Sequence, residues 1–162
     1  MRKPLRTTLV LLMVVALSLL VPVRGDAQHS PDPDTKEIAD YVLTEAALKK
    51  YTQAVRNLQP LGQLPQECDG DENPKSLNDT AVQMDRVPQV KSALKGAGMT
   101  SREYLVFSWS VFQNGMAAWA LDQPGGKLPP GVKMANVDFY REHEAELKKL
   151  GEMAKQADCD NR

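Results

Sequence analysis

Eighteen consecutive residues, 104–121, carry no charge: the run "YLVFSWSVFQNGMAAWAL" lies between Glu103 and Asp122. Such a stretch crosses a bilayer, lines a cofactor pocket or enters the core of a globule. Ser108, Ser110, Gln113, Asn114 and Gly115 interrupt it, and the two amides would need partners in hydrocarbon. It also falls short of the roughly 20 residues of a usual span. The sequence therefore predicts a core helix. On a helical wheel Leu105, Trp109, Phe112, Met116 and Trp119 recur at steps of four, three, four and three and make a bulky ridge. Tyr104, Ser108, Val111, Gly115 and Ala118 make a smaller groove beside it. Ser110 and Asn114, with Gln113 nearby, mark a narrow side able to meet water or a buried hydrogen-bond partner. A helix apolar on most of its circumference belongs at the centre of a bundle, with Gly115 admitting a close neighbour and the tryptophans filling volume. The same ridge has a second possible use. Trp109, Met116 and Trp119 would be the candidate lining residues of a ligand pocket.

The flanking segments read as further helices. Asp34 and Glu37 match a capping box, and Tyr41, Thr44, Leu48, Tyr51, Val55 and Leu58 form one stripe of a helix ended by Pro60. Ser76 with Asp79 opens a second helix, and Pro88 either kinks it or starts another before Gly96 and Gly98. Thr100 with Glu103 is a third box, at the head of the charge-free run. After "QPGGKLPPG", Asn136 caps a last helix reaching about residue 157, with Phe139, His143, Leu147, Leu150 and Ala154 along one side. No segment alternates as a strand should. The expected fold is an all-α, single-domain bundle of four to five helices with Pro/Gly-rich connections and one disulfide.

The ends of the chain set its expected compartment. Arg2, Lys3 and Arg6 precede the apolar run 9–21, then Pro22 and the small residues Gly25 and Ala27. That pattern predicts a signal peptide over 1–27, a flexible tail over 28–34 and a bundle domain over 28–162. The expected location is exported, periplasmic or extracellular, with no stable membrane insertion after cleavage. The leader takes four Lys/Arg and one acid with it, leaving sixteen bases against twenty acids. A mildly acidic chain without a basic run has no electrostatic footprint for nucleic acid. Cys68 and Cys159 sit in polar settings outside any C-x-x-C or four-ligand pattern. An even count in an oxidising compartment predicts one bridge between them. It would close a loop of about ninety residues, worth on the order of 4–5 kcal/mol.

Chemistry-bearing patterns are sparse. His143 and Glu146 share a helical face as metal ligands can, but two ligands do not complete a site. Asp69, Asp71 and Asn73 begin like a calcium loop, which fails where Pro74 and Thr80 replace the required Gly and Glu. A hydroxyl nucleophile needs a base and an orienting group, and the folded part holds one histidine. The sequence thus assigns no catalytic residue and no cofactor. It expects a binding or structural protein with a protein or small ligand as partner. The segments "GAGMTSREY", "LPPGV" and "NVDFYREHEAEL" resemble those of small exported all-helical bacterial proteins of uncharacterised function. That resemblance covers under half of the chain and implies no activity and no functional residue.

Overall fold

The computed structural model of the chain describes residues 32–62 and 76–155. Among these residues there are seven α-helices and no strand: α1 Pro33–Asp40, α2 Glu45–Leu58 with a 3-10 turn at Gln59–Leu61, α3 Leu77–Arg86, α4 Pro88–Gly96, α5 Ser101–Leu121, α6 Met134–Glu142 and α7 Glu144–Lys155. The all-α class is as expected. The helix number exceeds four to five because the segments read as continuous helices are broken.

The first break is the most informative. Residues 41–44 leave the helix, with Tyr41 and Thr44 in extended conformation, and Thr44 caps α2 by accepting the Ala47 N–H at 3.2 Å. Asn136 on α6 satisfies the backbone groups that the break exposes. Its Oδ1 accepts the Leu43 N–H at 3.0 Å and its Nδ2 donates to the Tyr41 carbonyl at 2.8 Å. The expectation that Asn136 caps its own helix is therefore wrong: Lys133 holds that position, with no side-chain cap bond. Val87 is extended between α3 and α4, with Pro88 opening α4 where its missing N–H costs nothing. His143 interrupts the last helix, its ring 4.3 Å from that of Phe139.

Two of the three expected boxes form caps. Ser76 accepts the Asp79 N–H at 3.1 Å, and Thr100 with Glu103 completes both halves of its box at 3.1 and 2.8 Å. The Asp34–Glu37 box does not form: the helix starts at Pro33, which puts Asp34 inside its first turn, and Arg102 binds both carboxylates. Arg102, on the first turn of α5, donates to Asp34 Oδ1 at 3.0 Å and to Glu37 Oε2 from Nε at 3.2 Å. These bonds, Glu37 first, raise the guanidinium pKa above its ordinary value. Asp34 Oδ2 also accepts the Leu77 N–H at 2.6 Å, so a single carboxylate ties together the beginnings of α1, α3 and α5.

The main core is built around Phe107, which is wholly buried and stacks on Tyr51 at 4.5 Å. Leu48 and Val55 of α2, Val90 and Leu94 of α4, and Leu147 and Leu150 of α7 join it. A smaller cluster of Ala117, Ala118 and Val137 seals α5 against α6. Helix α5 touches α1, α2, α3, α4 and α6 and is the hub of the described bundle.

The orientation of α5 differs from the expected one. Trp109, Phe112, Met116 and Trp119 are 48%, 59%, 50% and 60% exposed, so the bulky ridge does not fill the core. The buried face carries Val106, Phe107, Ser110, Asn114, Ala117 and Ala118. Beyond Phe107 this face is built of Ser110, Asn114, Ala117 and Ala118, and neighbouring backbone comes close there: Ser110 donates to the Ile38 carbonyl of α1 at 3.0 Å. Gly115 behaves as expected, since a Cβ there would stand 2.9 Å from the Tyr140 ring of α6.

Tyr41 supplies a measurable consequence. Its ring meets Phe107 edge-on at 6.2 Å, and burial, assisted by the charge of Glu103, raises the phenol above its ordinary pKa of 10.0. The unfolded chain then loses this proton first as pH rises. Stability should fall above pH 10.0 until the folded phenol also ionises. Urea denaturation across an alkaline series should show a shallower decline for Tyr41→Phe than for the natural chain.

Candidate interaction face

The outward side of α5 is set by the same spacing that builds its inward side. With six residues of α5 from Val106 to Ala118 turned inward, a helix of 3.6 residues per turn must turn Trp109, Phe112, Met116 and Trp119 outward. The Trp109 and Phe112 rings meet edge-on, 5.8 Å apart at 89°, which holds two large apolar groups together in contact with water. Isolated exposed apolar residues are ordinary, whereas a contiguous row of four on one helix marks an interaction site.

Beside the ridge runs an open groove of about 460 Å³ between α5, α6 and α7. Phe112, Met116 and Trp119 form one wall, and Tyr140 and Leu147 stand opposite. Gly115 and the Tyr140 ring packed against it both line the groove. At the base, Ser108 Oγ lies 3.3 Å from the Tyr51 hydroxyl and donates to the Tyr104 carbonyl at 2.8 Å. Lys148 is on the rim, paired with Glu144 at 2.8 Å as its i,i+4 spacing predicts. The hydrogen bond to Glu144 raises the Lys148 pKa, so the ammonium stays charged.

Of the three residues read as pocket candidates, Met116 and Trp119 line the groove, whereas Trp109 lies on the ridge away from it. Tyr51, Val111, Phe112, Tyr140 and Leu147 also line the groove and were not among those candidates. The signal for Tyr140 was Gly115, which implied a close neighbour without identifying it.

The residues weighed for metal binding turn to different partners. His143 Nε2 is 2.8 Å from Glu45 Oε1, and Glu146 accepts the Thr52 hydroxyl at 3.2 Å. Among the described residues no group of three His, Cys, Asp or Glu side chains is placed to hold a metal ion. Cys68, Cys159 and the acidic residues 69–73 lie outside the described residues, as does the leader. Among the described residues no helix is long and apolar enough to cross a membrane.

No family model matches the chain, no curated protein is significantly similar to it, and no solved structure matches it significantly. The ridge and its groove are therefore read from their own chemistry.

Proposed function

We propose that this chain is an exported binding protein, released by removal of residues 1–27 and stapled by a Cys68–Cys159 bridge, and that it works through the outward face of α5. The observation that carries this reading is the row of Trp109, Phe112, Met116 and Trp119, each about half exposed or more on the best-anchored helix of the bundle. Large apolar side chains held in water by a rigid helix cost solubility, and a partner surface that covers them recovers that free energy. Trp and Phe are also the residue types that dominate binding hot spots.

Site-specific photocrosslinking in the native compartment tests it. A photoreactive residue placed at position 112 should give a defined adduct, and the same residue at the exposed Glu152 of α7 should not. Equal adduct patterns from both positions would defeat the proposal.

A second reading has an observation of its own. The groove volume lies within the range of small-molecule sites, roughly 300–1,000 Å³, and its lining is mostly apolar. As a carrier, the protein purified from its native compartment would show extra mass on native mass spectrometry or a chromophore in its absorbance. Clean apoprotein mass would favour the protein-binding reading.

A further inference from the structure

The outward row of α5 has an internal symmetry. Its members sit at Trp109, Phe112, Met116 and Trp119, which are five and two residues before Asn114 and two and five residues after it. Turning the helix end for end about Asn114 therefore places tryptophan on tryptophan and exchanges Phe112 with Met116. We propose that the partner of this face is a second copy of the same chain, docked antiparallel through α5 about a two-fold axis near Asn114. This inference rests on the reading of the α5 face as a protein-binding surface, and three further observations bear on it.

The first is periodicity. Trp109 and Met116, and likewise Phe112 and Trp119, stand seven residues apart, a spacing of 3.5 residues per turn. That is the period of a seam facing another helix along its length. A two-fold contact requires that residue i of one copy meet residue j of the other and the reverse. The positions around Asn114 meet that condition, with Trp109 facing Trp119 at both ends and Phe112 facing Met116 beside the axis. The inner contacts join a thioether to an aromatic ring, a favourable pairing.

The second is charge. A two-fold contact brings two copies of every seam charge into one interface, and near the axis those copies repel each other. Residues 104–121 carry none. The same absence argues against an anionic lipid surface, because helices that lie on membranes carry Lys and Arg beside the apolar face.

The third is area. Four side chains of this size, each about half exposed, offer on the order of 500 Å² per copy, judged from the 150–250 Å² that a buried aromatic contributes. A standard interface needs roughly 800 Å² per partner. The residues next to the seam, Gln113 and Ala120 among them, are only partly buried and supply further surface. Ala120 adds little bulk at one end of this surface.

The test is sedimentation equilibrium of the mature chain over a micromolar-to-millimolar series. The natural chain should reach twice its monomer mass. Phe112→Lys and Met116→Glu each introduce a charge beside the axis and should each weaken self-association by at least about tenfold. Both positions are exposed, so far-UV circular dichroism should stay unchanged. Mixed in equal amounts, the two variants should form a heterodimer, because the antiparallel register sets residue 112 of one copy against residue 116 of the other. A parallel pair would set 112 against 112 and show no such rescue. A natural chain that stays monomeric throughout, a Phe112→Lys variant that still dimerises, or a mixture that fails to pair would each overturn the proposal. The position-112 crosslink separates this failure from that of the underlying reading. An adduct with a different protein would leave the binding face standing and remove the self-pairing, and no adduct would remove both.

Discussion

Phe107→Ala should cost about 3–5 kcal/mol of folding stability, the usual range for emptying a buried phenylalanine site. Phe107 has no exposed surface, stacks on Tyr51 at 4.5 Å and meets the edge of Tyr41 at 6.2 Å. Its ring sits in a cluster with residues of α2, α4 and α7 and of the break after α1, so the cavity would be walled from several elements and could not close by moving one. A domain of this size typically has about 5–15 kcal/mol of stability in total. The loss should appear as a fall in melting temperature on the order of 10 °C or more. Phe112→Ala, five positions along the same helix, is the internal control. Its side chain is 59% exposed, and the monomer should lose no more than about 0.5 kcal/mol. Urea unfolding of the two variants side by side reads the inward and outward faces of α5 directly. Equal losses would show that the assignment of those faces is wrong.

Asn136→Ala should be nearly as damaging, for a different reason. Asn136 is 2% exposed, and its side chain is bound to both the Leu43 N–H and the Tyr41 carbonyl. Alanine would leave a buried donor and a partly buried acceptor with nothing to bind, each at about 1–3 kcal/mol. A loss of about 2–4 kcal/mol is expected. The signature is local as well as global. Amide exchange at Leu43 should accelerate more than exchange in the middle of α2, because only the break between α1 and α2 loses its direct support. Uniform acceleration across the bundle would instead mean that Asn136 contributes packing alone.

These two residues also show what could be read from the chain. Features fixed within one turn were legible: the Thr100–Glu103 box, the Ser76 cap and the Glu144–Lys148 pair all lie within four residues of each other. The all-α class followed for the same reason, since periodicity is local. The break at 41–44 was not legible. Its backbone is held by an amide more than ninety positions away, and no pattern around Tyr41 announces it. Asp34 and Glu37 likewise have the spacing of a cap, but the helix starts ahead of Asp34 at Pro33, and Arg102, also remote in sequence, binds both carboxylates.

The α5 face was half legible. Steps of three and four placed Trp109, Phe112, Met116 and Trp119 together on one side, and they are together. Which side turns inward is decided by the neighbours, and periodicity contains nothing about them. A row of large residues suggested a filled interior. The observed inward face carries Val106 and Phe107 and then only Ser110, Asn114, Ala117 and Ala118, the last two sealed against Val137 of α6 and Ser110 bound to the Ile38 carbonyl of α1.

The placement of the indoles has an optical consequence. Both of the chain's tryptophans stand on the ridge, about half in water, while its central ring stack is built from tyrosine and phenylalanine. Indole emission should already be red-shifted in the free native chain and should change little when the core melts. It should move to the blue only when something covers α5. The natural protein thus carries two built-in fluorophores that report on docking and leave unfolding to be followed by other probes.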